Sequence, residues 1–224
     1  MTAHAASPGA EGELLARARG LGGRTLAEIA IAAARPLPPD PRRHKGATGA
    51  LIERALGADA GSRPIPDFPT LGIELKTLPI DARGEPAEST FVCCAPRERE
   101  DGWEQSSVRT KLARVLFVPV ETTPPFAQRR VGSAFLWSPE GEIDDILRAD
   151  WDALSDLIER SPESISARHG RALQLRPKAR DGAVLVRATD VDGAPLLAKP
   201  RAFYLRRTFV AHILRSQGLQ SCRA

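Results

Sequence analysis

A chain of 224 residues with 42% apolar and 27% charged residues has the make-up of a folded globular protein, long enough for one generous domain or two small lobes sharing a core. Its 32 basic and 28 acidic residues give a net charge of +4, but 13 of the basic and 4 of the acidic ones lie from Arg160 onward, so a net +9 there follows a net −5 (19 basic, 24 acidic) before it. No apolar run approaches the roughly 20 residues that cross a bilayer, "MTAHAASPGAEG" has no basic flank leading into an apolar stretch, and Cys93, Cys94 and Cys222 form neither a disulfide framework nor a zinc spacing, so a reduced, cytoplasmic protein is expected.

In chain order, residues 1–12 are small and polar and are expected to be disordered. "ELLARARGLGGRTLAEIAIAAA" reads as two helices broken at "GLGG", with Thr25 as N-cap of the second. "RPLPPDPRR" cannot be helical; "GATGALIERALGA" returns to helix, with Leu51, Ile52, Ala55 and Leu56 on one face and Glu53 away from it. "GIELKTLPI" and "STFVCCAP" are strand-like, separated by the turn chemistry of "DARGEPAE". "SSVRTKLARVLFVPVE" predicts a short helix running into a buried strand over 115–120, and "VGSAFLWS" a further strand. The strongest helical repeat is Ile143, Ile146, Leu147, Trp151, Leu154, Leu157 and Ile158. A strand at "ALQLRP", a loop rich in Gly and Asp, the segment "RAFYLRR" and an amphipathic helix at "TFVAHILRSQG" complete the chain. Helices, a sheet of mostly consecutive strands, then a crossing helix, strand and helix predict a mixed α/β fold, in one body or two lobes.

Chemistry concentrates at "PDFPTLGIELKT", residues 66–77. In a strand Ile73, Leu75 and Thr77 point one way while Glu74 and Lys76 point the other, about 6–7 Å apart. The turn-like "FPTLG" folds Asp67 back toward Glu74. Two carboxylates brought together repel, and a hard cation such as Mg²⁺ relieves that repulsion through oxygen ligands, to which the Leu75 carbonyl adds another. Metal, carboxylates and ammonium together suit hydrolysis of a phosphodiester, whose target is anionic and poorly electrophilic. On spacing alone the pattern is short and recurs by chance, and a surface ion pair satisfies it too. The basic C-terminal third suits a polyanion partner, and equally an unspecialised basic surface.

Six longer segments carry more information. "DFPTLGIELKTLPID", "ESTFVCCAP", "SSVRTKLARVLFVPVE", "RRVGSAFLWSP", "ISARHGRALQLRPKA" and "RAFYLRRTF" resemble, in the same order, segments of the MutH family of DNA mismatch repair endonucleases, with the likeness running from about Glu13 to Leu214. The resemblance implies a restriction-endonuclease-like fold: a mixed central sheet flanked by helices, with an N-terminal catalytic lobe (about 13–140) and a C-terminal DNA-reading lobe (about 141–224) forming a DNA cleft. It assigns Asp67, Glu74 and Lys76 as catalytic, with Asp67, Glu74 and the Leu75 carbonyl as ligands of Mg²⁺, a site that Mn²⁺ or Ca²⁺ can also fill.

By the same resemblance Glu53 is a further acid near the metal, and Lys111 a basic group near the reacting phosphate. Without it, Glu53 would be a solvated helix residue and Lys111 an ordinary surface lysine. Arg176, Pro177 and Lys178 match a DNA-reaching loop, where Arg suits guanine in the major groove. Tyr204 matches a tyrosine associated with sensing the adenine methyl group, against a core tyrosine as the alternative. Lys45 contacts phosphate or is simply solvated; Phe91 and His169 are expected to be structural. Ala202 stands where glycine is expected, "PREREDGW" is shorter than its counterpart, and the chain stops soon after its last helix.

The implied activity is a Mg²⁺-dependent nick in the unmethylated strand of hemimethylated GATC sites, 5′ to the guanine, by a bacterial, nucleoid-associated monomer. MutL, activated by MutS at a mismatch, would stimulate it. A GATC-cutting type II restriction endonuclease and an inactive DNA-binding protein of the same fold are the alternatives.

Overall fold

In the computed structural model the described residues are 5–40, 44, 46–61, 63–96, 100–160, 165–166, 168–178, 186–189, 195–198 and 200–218. Three helices open the chain, α1 (Glu11–Arg19), α2 (Leu26–Ala32) and α3 (Ala47–Leu56). The break between α1 and α2 falls on the expected glycines, and Thr25 caps α2 reciprocally. Its hydroxyl accepts from the Glu28 amide at 3.2 Å, while the Glu28 carboxylate accepts from the Thr25 amide at 2.7 Å. The segment before α1 departs from the expected disorder within its described part. Pro8 is buried, and Arg17 donates to the Ala6 carbonyl, so residues 5–10 lie against the helices.

Strands β1 (Glu74–Ile80), β2 (Thr90–Cys94), β3 (Val115–Glu121) and β4 (Phe135–Trp137) follow, with the short helix α4 (Ser107–Leu112) ahead of β3. Then come α5 (Glu142–Arg160), β5 (Leu173–Pro177), β6 (Val186–Thr189), β7 (Pro195–Ala198), β8 (Arg201–Leu205) and α6 (Arg207–Ser216). The fold is mixed α/β. Among the described residues the strands do not form one central sheet of sequential neighbours. They sort into β1–β3–β4, β2–β8–β5 and the hairpin β6–β7. In the first sheet β1 runs parallel to β3 and β4 antiparallel to it. The segment 81–89 between β1 and β2 therefore joins strands of two different sheets and makes no hairpin.

The chain divides into two compact units, one of Met1–Glu88, Ala113–Ser138 and Ala211–Ala224, the other of Ser89–Leu112 and Pro139–Val210. In the first unit, Leu14, Leu26, Ile29, Leu51, Ile52 and Leu56 of the helices pack with Phe68, Ile73, Leu75, Leu116, Val118 and Val120. Since residues paired across a sheet share a face, Glu74 and Lys76 lie on the opposite face, level with Val115 and Phe117. In the second unit the helical repeat buries Leu147, Trp151 and Leu154 of α5, and Leu173, Leu175, Phe203 and Leu205 supply the inner face of β2–β8–β5.

Candidate active site and nucleic-acid face

The turn ahead of β1 builds the first cluster. Phe68 and Ile73 form an antiparallel bridge, and their amides exchange bonds of 2.9 and 3.3 Å with each other's carbonyls. The chain reverses through Pro69–Gly72, where Gly72 has φ +65, a conformation that glycine adopts without the strain of a Cβ. This reversal returns Asp67 to β1, where its Oδ2 accepts from the Leu75 amide at 2.8 Å. The Glu74 amide donates instead to Arg114 O at 2.9 Å, on the β3 side. Successive amides point to opposite edges, so Leu75 offers both its N–H and its C=O to the edge away from β3, the edge on which Asp67 sits.

On the neighbouring residue, Lys76 Nζ donates to Glu74 Oε1 at 2.7 Å. Burial excludes the surface ion pair that the spacing alone would also satisfy. Glu74 is only 4% exposed, and the Lys76 side chain only 11%. Val115 and Phe117 fill the same face, and Phe117 in turn packs on Phe135 and Trp137, with ring centroids 5.5 and 5.8 Å away. The pair is thus held where water screens it weakly.

Glu53, which without the resemblance would be a solvated helix residue, is half-buried on α3. Its carboxyl is pushed above the usual range first by desolvation, then by the negative charges of Asp67 and Glu74, with Arg35 and Lys76 opposing. Three carboxylates therefore share one electrostatic neighbourhood around Lys76. Among the described residues no three His, Cys, Asp or Glu side chains close into a cage for a metal. Two carboxylates and a strand carbonyl are nevertheless a donor set that suits Mg²⁺, which keeps several waters and takes few protein ligands.

A second cluster forms on the outer face of β2–β8–β5. In register, Phe91 opposes Tyr204, Gln174 opposes Tyr204 from the other side, and Arg176 and Cys94 both oppose Ala202. A bulge between Phe91 and Cys93 lets Phe91 and Cys94 share that face. Tyr204 meets Phe91 edge-on at 5.5 Å, Arg176 lies 5.7 Å over the Tyr204 ring, and Lys178 Nζ lies 4.5 Å over the Phe91 ring. Arg176 Nη1 also donates to Ser89 Oγ at 2.8 Å, and Lys178 Nζ to Cys94 Sγ at 2.7 Å. Arg176, Pro177 and Lys178 are exposed and Tyr204 half-exposed, so Tyr204 is not a core residue.

Phe91 was expected to be structural, yet it is 37% exposed and is the aromatic on which Lys178 and Tyr204 converge. Its place at the open end of a pattern otherwise apolar gave no hint of this, because the bulge reverses the alternation. Ala202 is fully buried in β8 with no left-handed backbone, so the missing glycine alters no turn.

The remaining candidates sit apart in the chain. Lys111 is half-buried on α4, in the second unit, whereas Glu53, Asp67, Glu74 and Lys76 belong to the first. His169 accepts from the Ser166 amide at 3.3 Å, and its carbonyl accepts from Arg206 at 3.2 Å. Lys45 lies outside the described residues.

Among the described residues no helix is long and apolar enough to cross a membrane. Residues 56–150 match the family model described as the DNA mismatch repair enzyme MutH. The chain is 50% identical over 222 residues to the DNA mismatch repair protein MutH of Pectobacterium atrosepticum, covering 97% of this chain and 96% of that one. It is 51% identical over 215 residues to the MutH of Klebsiella pneumoniae subsp. pneumoniae, covering 94% and 93%. Likewise it is 51% identical over 214 residues to that of Yersinia enterocolitica, covering 93% and 94%. A buried carboxylate–ammonium pair beside a folded-back aspartate thus sits in a chain similar along nearly its whole length to repair enzymes, and the chain belongs to the MutH family of DNA mismatch repair enzymes.

Proposed function

We propose that this enzyme is a Mg²⁺-dependent endonuclease that nicks the unmethylated strand of hemimethylated GATC sites. The observation that carries the reading is Asp67 bonded to the Leu75 amide beside the Glu74–Lys76 pair. In this reading Asp67, Glu74 and the Leu75 carbonyl hold the metal. When bound, Mg²⁺ supplies positive charge to a phosphoryl oxygen and to the departing alkoxide. Lys76, oriented by Glu74, positions the attacking water and offsets charge developing on the phosphate. Glu53 adds negative charge to the same neighbourhood, and Lys111 supports the reacting phosphate.

The fold in this reading is of the restriction-endonuclease type, with two lobes forming a DNA cleft. Arg176, Pro177 and Lys178 read the site, Tyr204 senses the methyl group, and Lys45 contacts phosphate. The protein acts as a monomer, stimulated by MutL once MutS has found a mismatch. Cleavage of unmethylated, hemimethylated and fully methylated GATC duplexes in Mg²⁺, with and without MutL, tests this. Nicking confined to the unmethylated strand and enhanced by MutL is expected. Double-strand cutting indifferent to MutL would make it a restriction enzyme, and salt-sensitive binding without any cut an inactive binding protein.

A further inference from the structure

Among the described residues two carboxylates are buried, Glu74 and Asp150. Glu74 belongs to the candidate active site. Asp150, 6% exposed on α5, has no part in it. Its oxygens accept from three successive backbone amides ahead of and at the start of β5. The Arg171 amide lies 2.8 Å from both Oδ1 and Oδ2, and those of Ala172 and Leu173 lie 2.6 and 2.8 Å from Oδ2. Burying a carboxylate is costly unless such donors compensate it, and here three consecutive donors point at one group.

The turn around it is shaped to fit. Gly170 has φ +85, and a Cβ there would collide with the Leu173 carbonyl and stand 3.3 Å from the Asp150 carboxyl carbon. Asp150 itself is held by its helix, whose Leu147, Trp151 and Leu154 are buried around it. The carboxylate therefore pins the first residue of β5 to a fixed point on α5. From there the register runs Leu173 against Leu205, Gln174 against Tyr204 and Arg176 against Ala202. A slip of one residue would move Arg176 to the inner face and bring a core leucine out beside Tyr204.

We propose that Asp150 is a positioning residue for DNA recognition. By fixing where β5 starts, it fixes which side chains at the far end of that strand meet Tyr204 and Phe91. The inference rests on the reading of Arg176–Lys178 as the DNA-facing segment, and Asp150 touches no substrate itself.

The test is Asp150→Asn in the full chain, since the amide puts a donor where the backbone already donates. Nicking of a GATC duplex is compared with that of a duplex changed at one base pair, and amide hydrogen exchange is followed over 171–177. KM should rise and discrimination fall by about tenfold, the scale of one lost base contact. At saturating DNA kcat should stay within about threefold, because the chemistry is elsewhere. Exchange over 171–177 should quicken, and adding Arg176→Ala should cost little further discrimination, as both act on one contact.

Unchanged discrimination and unchanged exchange in a folded Asp150→Asn would overturn the proposal. So would a loss that merely tracks the folded fraction, with KM unaltered. Should Asp150→Asn not fold, Asp150→Glu carries the same test, keeping an acceptor but displacing it by one methylene. A wild-type protein that does not discriminate GATC would defeat the functional reading, and the exchange measurement would still decide whether Asp150 holds the register.

Discussion

Lys76 and Glu74 form a 2.7 Å ion pair that is almost closed to water, so removing one partner strands the other. Lys76→Met leaves Glu74 buried near Asp67 and Glu53 without its ammonium. Metal-free protein should then lose roughly 3 kcal/mol of stability. Thermal melts should show Mg²⁺ raising the Tm of this variant more than that of wild type, because the divalent cation replaces the missing charge. Equal shifts would place the metal elsewhere. At Ala34 the chain takes φ +46, the one non-glycine residue with positive φ among those described. It ends α2 in a Schellman motif, with the Arg35 amide donating to Ala30 O at 2.9 Å and the Ala34 amide to Ile31 O at 3.2 Å. Ala34→Gly removes the Cβ strain at the cost of some unfolded-state entropy, so denaturant melts should show a gain of about 0.5–1 kcal/mol. The return of Asp67 to β1 was legible because "FPTLG" has turn chemistry. The burial of Glu74 was not, because alternation assigns a face and says nothing about what covers it.

Elements were legible where a local signal was complete. Thr25 and Glu28 stand at capping-box spacing, and the structure makes both bonds of the box. Thr25→Ala should cost about 1 kcal/mol in chemical denaturation, with α2 fraying first in hydrogen exchange. Strand β3 was legible too, as a buried apolar run between a short helix and a polar stop. Strand pairing was not. Turn residues between β1 and β2 suggest neighbours, yet β1 pairs in parallel with β3, a choice made by the packing of distant segments. The β6–β7 hairpin is not legible in the sequence, since its strands of four residues are too short to show alternation above the Gly and Asp around them. The grouping of Phe91 and Cys94 on the outer face of β2–β8–β5 is illegible in the sequence for a related reason. The bulge after Phe91 shifts the alternation by one residue, so no period read along β2 places Phe91 and Cys94 together.

Across the molecule, contacts distant in sequence decide what local signals leave open. Arg114 donates from Nε to Glu11 Oε2 at 3.0 Å and from Nη2 to Glu11 Oε1, tying α1 to the start of β3 within the first unit. Its carbonyl accepts from the Glu74 amide, so this tether adjoins the strand that carries the candidate active site. The Arg114 guanidinium holds the Glu11 carboxyl below its usual range. A depressed carboxyl contributes stability above its ordinary value of 4.5, and that contribution is lost as pH falls through the folded value. Both side chains are substantially exposed, so Glu11→Gln should cost only about 0.5 kcal/mol at neutral pH and low salt. The difference from wild type should vanish well below the ordinary carboxylate range; a difference that persists there would mean that packing, and not charge, holds α1. The charge asymmetry between the first 159 residues and the rest suits a polyanion partner and an unspecialised basic surface equally, and near-complete similarity to MutH proteins supplies the family.

The most direct test of the central claim is cleavage of one GATC duplex in Mg²⁺ by wild type and Lys76→Ala, with binding measured in Ca²⁺ alongside. Nicking by wild type, lost by at least about a hundredfold in the variant while duplex binding stays intact, is the predicted result. Cleavage by Lys76→Ala at the wild-type rate would contradict the assignment of residues 67–76 as the catalytic site.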